Sequence, residues 1–241
     1  MRLHGARVLI TGAGKRLGRH MALALAEAGC DVAVHFHRSE TEALKTCAEI
    51  ETLDRRGLAI QADLTEPSAP EQIMASAVSQ LGGVDILVNS ASLFRRGTIR
   101  QTSIDDWSQT LAVNLRAPFF LSQAFAAQIG ERPGHIVSIA DWRAERPGVS
   151  YVAYHISKAG LLALTQSLAQ ALGPNVQVNA ISPGAILPAG EKDKAWFRSL
   201  ASRLPLGHTG SPTDITEALL YLLRSDFVTG EVLHVTGGEH L

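Results

Sequence analysis

The 241-residue chain has only two cysteines, Cys30 and Cys47, and their separation matches no metal-ligand spacing. No metal site is expected, and the simplest reading is a reduced intracellular protein. It also lacks an excess of either charge. Its 22 Lys and Arg stand against 23 Asp and Glu, a formal net charge of -1, so no basic field exists for a nucleic-acid partner. The pairs Arg55-Arg56 and Arg95-Arg96 read as solvated surface or single phosphate contacts. Met1 leads almost directly into an apolar strand, with no basic-then-apolar leader. No apolar stretch is long and unbroken enough to span a membrane. A cytoplasmic protein with no membrane partner is therefore expected. Linkers, repeats and low-complexity tracts are missing too, so residues 1–241 read as one domain. Apolar residues are plentiful, at 46% of the chain, enough for a large core.

Val8-Leu9-Ile10 reads as a buried parallel strand running into Thr11-Gly12-Ala13-Gly14-Lys15-Arg16-Leu17-Gly18. Helical apolar spacing follows from Leu17 to Ala28, and Gly29 ends it. Strand, glycine turn and helix in that order predict a dinucleotide site, with the pyrophosphate on the helix N-terminus. Asp31–Phe36 is a second strand, followed by His37-Arg38-Ser39. An acidic residue there takes a ribose hydroxyl, whereas an arginine accommodates a 2′-phosphate. Arg38, with Ser39 as a further donor, predicts NADPH over NADH.

A helix is expected over Glu40–Arg56, closed by Gly57, then strands at Leu58–Gln61 and Val84–Val88 with a helix from Pro67/Pro70 to Leu81 between them. Asp63, beside Leu64, could accept from an adenine amino group or cap the next turn. Small residues in Asn89-Ser90-Ala91-Ser92 allow close passage of a cofactor. Asp105–Ile129 reads as two helices split near Arg116-Ala117-Pro118, with Asn114 buried and in need of a hydrogen-bond partner. Strands follow at His135–Ala140 and Gln177–Ile181, and a last helix and strand at Pro212–Leu223 and Val232–Val235. Residues 185–206 lose strand character and carry Leu187, Trp196 and Phe197, which predicts a substrate lid.

The chemistry centres on Asp141, Tyr154 and Lys158. If Val152–Leu172 is helical, Tyr154 and Lys158 lie one turn apart on one face. A free tyrosine has a pKa of about 10. A neighbouring ammonium favours the phenolate and is expected to pull that value down, giving a tuned proton donor. Asp141 stands just after an apolar run, at the carboxyl end of a strand, where open parallel sheets keep their active sites.

These pieces together resemble the short-chain dehydrogenase/reductases over essentially the whole chain. The matching residues are Thr11-Gly12…Gly18, Asn89-Ser90-Ala91, Asn114, Tyr154-x-x-x-Lys158, Pro183-Gly184 and Thr229-Gly230…Gly237-Gly238. The resemblance implies a Rossmann-type, doubly wound α/β fold, with one seven-stranded parallel sheet and helices on both faces, and a homotetramer. It implies a cofactor site drawn from Gly12, Lys15, Arg16, Leu17, Gly18, His37, Arg38, Ser39, Asp63, Leu64, Asn89, Ala91, Ser92, Tyr154, Lys158, Pro183, Gly184 and Ile186. Asn114, Tyr154 and Lys158 would form the proton relay.

Two departures carry more than the matches. Arg16 replaces a third glycine, and Asp141 replaces the catalytic serine thirteen residues before the tyrosine. Both are similar to the pteridine reductase branch, which includes dihydromonapterin reductases. That implies reduction of a pterin or dihydropterin, held by Arg16, Ser92, Phe94, Asp141, Tyr154, Leu187 and Trp196, with Tyr154 and Asp141 as proton donors. Ser90 where the wider family has Asn, and Thr236 where an Asp precedes the final Gly-Gly, fit this branch less well. Rival readings are a ketone or 3-oxoacyl reductase of the same fold, which Asp141 opposes, and a non-catalytic NADP(H)-binding regulator, which the presence of both Tyr154 and Lys158 opposes.

Overall fold

A computed structural model of the chain describes residues 1–188 and 194–241. The strands are β1 (Arg7–Ile10), β2 (Asp31–Phe36), β3 (Gly57–Gln61), β4 (Ile86–Asn89), β5 (Gly134–Ile139), β6 (Val176–Pro183) and β7 (Val232–Val235). They form one seven-stranded sheet in the order β3-β2-β1-β4-β5-β6-β7, with every pairing parallel. The chain reverses its direction of travel between β1 and β4, which opens a crevice at their carboxyl ends.

The strand residues alternate between two apolar layers, as a period of two requires. Val8, Ile10, Val32, Val34, Ile86 and Val88 face α1 (Arg16–Glu27), α2 (Glu40–Glu51) and α8 (Pro212–Arg224). Leu9, Ala33 and Leu87 face α3 (Ala69–Leu81) and α5 (Ala117–Ile129), whose Phe125 is fully buried; α6 (Val152–Leu172) contributes Ala169 to the same layer. With both faces covered, the strands can be continuously apolar, as Val8-Leu9-Ile10 is.

Several elements differ from the sequence reading: the strand expected from Val84 to Val88 runs from Ile86 to Asn89, and three further differences concern a helix end, a helix break and a strand end. The helix expected to run to Arg56 ends at Glu51, and Arg56 turns back so that its Nε donates to Asp31 at 2.8 Å. Gly57 therefore does not cap that helix. It opens β3, where a Cβ would meet the Cys47 carbonyl oxygen at 2.6 Å, so glycine is required by close helix–strand packing. The expected break near Pro118 is absent: α4 (Ile104–Leu111) passes through a π-helical segment, Ala112–Arg116, straight into α5. Proline has no N–H for the preceding turn, and a widened turn there lets the helix continue. Strand β6 extends through Pro183, two residues beyond the expected end.

His35 on β2 ties the first loop to the sheet. Its Nδ1 accepts from the Gly12 N–H at 3.2 Å, and its Nε2 lies 3.1 Å from the Ala62 carbonyl. This pattern needs the neutral ring, because a protonated one cannot accept from Gly12. Burial, the largest effect, lowers its pKa to about 4 and outweighs the raising hydrogen bond to Ala62; the charge of His37 lowers it further, and Asp63 acts the other way. Above about pH 6.5 both folded and unfolded states are neutral here. As pH falls from 6.5 to 4, the unfolded chain takes up a proton that the folded one refuses, so stability is lost. The loss approaches about 3 kcal/mol. His35→Gln should flatten this part of a urea-denaturation pH series. Buried His135, also lowered to about 4, would keep the remaining slope.

Candidate active site

The crevice is floored by the loop from β1 to α1. Gly12 has a φ of 67°, and a Cβ there would come within 2.9 Å of the Ala91 backbone. Gly18 is tighter still, since its Cβ would meet the Gly12 carbonyl oxygen at 2.3 Å. Arg16 has a φ of 53°, in the left-handed region, at the position where a third glycine is usual. Its guanidinium leaves the loop and donates to the Pro188 carbonyl at 2.8 Å. Among the described residues no side chain caps the start of α1, and its first turn has no acidic residue to offset the positive end of its dipole. Thr11 Oγ1 accepts from the N–H groups of Ser90 and Ala91, both at 3.0 Å, and locks the end of β4 beside the loop.

At the end of β2, His37 and Arg38 are exposed and Ser39 is half-buried at the start of α2. Asp63 Oδ1 accepts from the Thr65 N–H at 2.9 Å, and Oδ2 lies 3.4 Å from His37 Nε2. It thus caps its own turn, one of the two roles open to it in sequence. Burial raises the Asp63 pKa, but the Thr65 hydrogen bond and the charges of His37 and Arg38 lower it overall. Leu64 is buried beneath this turn. Asn89, at the end of β4, is buried with neither its amide oxygen nor its nitrogen hydrogen-bonded among the described residues. Such a group in a crevice calls for an external partner.

Asp141 follows β5 and caps a short 3₁₀ turn, Trp142–Ala144, with Oδ1 accepting from the Arg143 N–H at 2.8 Å. Its Oδ2 accepts from the Tyr154 hydroxyl, also at 2.8 Å. Lys158, one turn along α6, donates from Nζ to the Ile139 carbonyl at 2.6 Å and lies 5.8 Å from the Tyr154 ring centroid. The expected lowering of the Tyr154 pKa does not occur. Burial, then the charge of Asp141 and the hydrogen bond to it, hold Tyr154 well above 10, against a smaller opposing effect of Arg143. The phenol is therefore kept in its proton-bearing form. Burial lowers Lys158 to about 8, with Asp141 acting the other way.

Asn114 sits in the π-helical segment. Its Oδ1 accepts from the Leu93 N–H at 2.7 Å, and its Nδ2 donates to the Leu93 carbonyl and to Ser157 Oγ, each at 3.0 Å. The side chain thus joins the loop after β4 to α6 next to Lys158. That loop carries exposed Ser92 and Phe94. The Phe94 ring stacks on Tyr151 at 4.3 Å and meets Tyr154 edge-on at 4.7 Å, yet remains 49% exposed. Tyr151 escaped the sequence reading, although its position one helical turn before Tyr154 was the signal. Arg143 and Glu239 escaped it as well.

Pro183 and Gly184 end β6 at the crevice, and a Cβ on Gly184 would strike the Thr236 backbone at 2.7 Å. Ile186 is buried and Leu187 packs against the same apolar layer, so Leu187 is partly a core residue. Within the expected lid, residues 189–193 lie outside the described residues. Beyond them, Lys194–Ser199 is helical (α7) and Trp196 is 57% exposed.

A parallel sheet with a glycine loop at its switch point and, beside the end of β5, a Tyr–Lys pair on α6 defines a nicotinamide-dependent oxidoreductase. Residues 12–240 match the family model described as enoyl-(acyl carrier protein) reductase. The chain is 34% identical to an L-rhamnose 1-dehydrogenase (NAD(P)(+)) of a Sphingomonas species, covering 99% of this chain and 98% of the relative. Among solved structures, a short-chain dehydrogenase from Burkholderia cenocepacia in complex with NADP is 36% identical, with a TM-score of 0.93 and 99% of each chain covered. FolM alternative dihydrofolate reductase 1 from Brucella canis, also complexed with NADP, is 29% identical, with a TM-score of 0.93 over 100% of this chain and 96% of that one. The chain belongs to the short-chain dehydrogenase/reductase family, and NADP is its cofactor. The crowded glycines, the uncapped helix start and the orphaned Asn89 amide all fit a bound dinucleotide.

Gly18→Ala tests the loop directly. A Cβ 2.3 Å from a backbone oxygen cannot be relieved by a rotamer change, so the loop must shift. Fluorescence titration should show NADPH affinity reduced about ten-fold or more, in line with the loss of one or two charge-assisted hydrogen bonds.

Proposed function

We propose that this chain is an NADPH-dependent pteridine reductase that takes pterins or dihydropterins of the biopterin, monapterin or folate type to the tetrahydro form. The observation that carries this reading is the 2.8 Å hydrogen bond from Tyr154 to Asp141, beside the half-exposed ring of Phe94. The acid stands where a carbonyl reductase would have a serine hydroxyl. The free face of Phe94 offers a flat heteroaromatic ring a stacking partner. The likeness to the Brucella FolM structure supports the same reading.

The cofactor supplies the hydride. Tyr154, held protonated, gives its proton to the ring nitrogen as the adjacent carbon is reduced. Lys158, in its ammonium form, steadies the phenolate that remains and takes a ribose hydroxyl. Asp141 shares the Tyr154 proton and, in its acid form, is the second donor. Arg16 and Ser92 border the pterin, Asn114 fixes the loop bearing Phe94, and Arg38 with His37 and Ser39 receives the 2′-phosphate. The same reading includes a homotetramer, for which the exposed aromatic pair Phe119 and Phe120 on α5 offers an apolar surface. A carbonyl substrate is the second reading, supported by the L-rhamnose dehydrogenase relative.

Following nicotinamide absorbance with NADPH and dihydrobiopterin, dihydromonapterin, dihydrofolate or an acetoacetyl thioester separates the two. Turnover of the thioester alone would end the pteridine reading. Asp141→Asn should cut dihydropterin turnover about 100-fold or more and leave NADPH affinity nearly unchanged. Full retention of activity would make Asp141 a turn cap only.

Arg38→Asp should weaken NADPH about ten-fold or more while barely changing NADH, since a charge-assisted contact to the 2′-phosphate is replaced by repulsion. Equal catalytic efficiency with both cofactors in the parent protein would defeat the assignment of Arg38.

A further inference from the structure

The turn after β7 reaches the active site. Thr236 Oγ1 accepts from the Gly238 N–H at 3.2 Å and pairs with His240 Nδ1 at 2.7 Å. Gly237 and Gly238 have φ values of 61° and 88°, which only glycine adopts without strain. The turn so formed aims Glu239 inward over Gly184, with its side chain 14% exposed. Glu239 Oε1 is 3.2 Å from the Arg143 guanidinium, and Oε2 is buried without a hydrogen-bond partner among the described residues. Arg143 in turn stacks on Trp142 at 4.5 Å and places its other terminal nitrogen 3.6 Å from Asp141 Oδ1. Glu239, Arg143 and Asp141 thus form one chain of alternating charge, which ends at the Asp141 carboxyl that accepts from Tyr154.

We propose that Glu239 and Arg143 are positioning residues that set the proton affinity of the Asp141–Tyr154 pair from the turn after β7. Neither touches the reacting atoms. Arg143 favours the ionised state of the pair, and Glu239 offsets part of that charge while holding the guanidinium in place. The other titratable groups facing the pair are Lys158 and His155, both on α6. His234 and Glu145, paired at 2.9 Å, and His240, stacked on His234, lie around the same turn. The proposal rests on the pair being a proton donor, not on the donor's substrate.

The two charges act in opposite senses, and that gives the test. Glu239→Gln leaves Arg143 uncompensated, so groups that must stay protonated lose their proton at lower pH. Arg143→Gln does the reverse. With whichever substrate the enzyme turns over, the alkaline limb of kcat/KM should move down in Glu239→Gln and up in Arg143→Gln. Each shift should be about half to one pH unit, given a partly solvated guanidinium. Arg143→Lys, which keeps the charge, should restore most of the parent profile. Carboxyl-carbon NMR of the NADP-bound protein, with the signal assigned through Asp141→Asn, reads the same displacement without any substrate. A failure of the pteridine reading would leave that measurement intact. Shifts in the same direction, or lower kcat on an unmoved pH profile with an unmoved carboxyl titration, would reduce Glu239 and Arg143 to packing and overturn the proposal.

Discussion

One carboxylate holds the site together. Lys158 is an almost fully buried ammonium and Tyr154 an almost fully buried phenol, and burying such groups is costly without a partner. Asp141 supplies the balance for both. It accepts from the phenol directly and faces the ammonium electrostatically, while its other oxygen is fixed by the backbone of the turn it caps. The usual serine at this position would give the phenol a neutral partner and the ammonium none of this compensation. The substitution therefore changes the charge state that the corner favours, not merely one hydrogen bond.

The rest of the fold delivers these groups to one point. β5 ends at Ile139, whose carbonyl takes the Lys158 proton donor, so strand and helix are tied at the reacting corner. The π-helical turn brings Asn114 inward, where three hydrogen bonds pin the loop after β4 to α6. Gly97 and Tyr151 form a bridge that closes the far end of that loop. Phe94 is thus fixed at both ends of its loop while its own ring stays half open.

The strands and the glycine loop were legible because local signals carry them: apolar runs of strand length, glycines between strand and helix, and a helical period behind; the parallel seven-stranded sheet came from the family resemblance. Tyr154, Lys158 and Asp141 were picked out by the one-turn Tyr–Lys spacing, the strand-end position of Asp141 and the family resemblance together. The direction of the Tyr154 shift was not. Sequence puts Lys158 one turn away and says nothing of Ile139, which turns the ammonium aside, or of burial, which outweighs it. Gly57 was misread for a related reason, since a glycine after a helix looks like a stop until Cys47 is seen against it. Arg143 and Glu239 lie 96 positions apart, and no local pattern joins them.

The two departures from the family pattern at backbone turns have a common logic. Arg16 occupies a left-handed conformation at a cost of roughly 1 kcal/mol relative to glycine. In return the loop gains a guanidinium that reaches the Pro188 carbonyl across the crevice mouth, which glycine cannot do. A charge-assisted hydrogen bond of this kind offsets a strain of that size. Thr236 replaces an acid before the final glycines and still caps the turn through its hydroxyl, but it adds no negative charge there. Glu239 is then the carboxylate of that turn facing Arg143. Placing the acid three residues later moves it from the turn's own cap to the back of the active site, where its charge bears on the guanidinium beside Asp141.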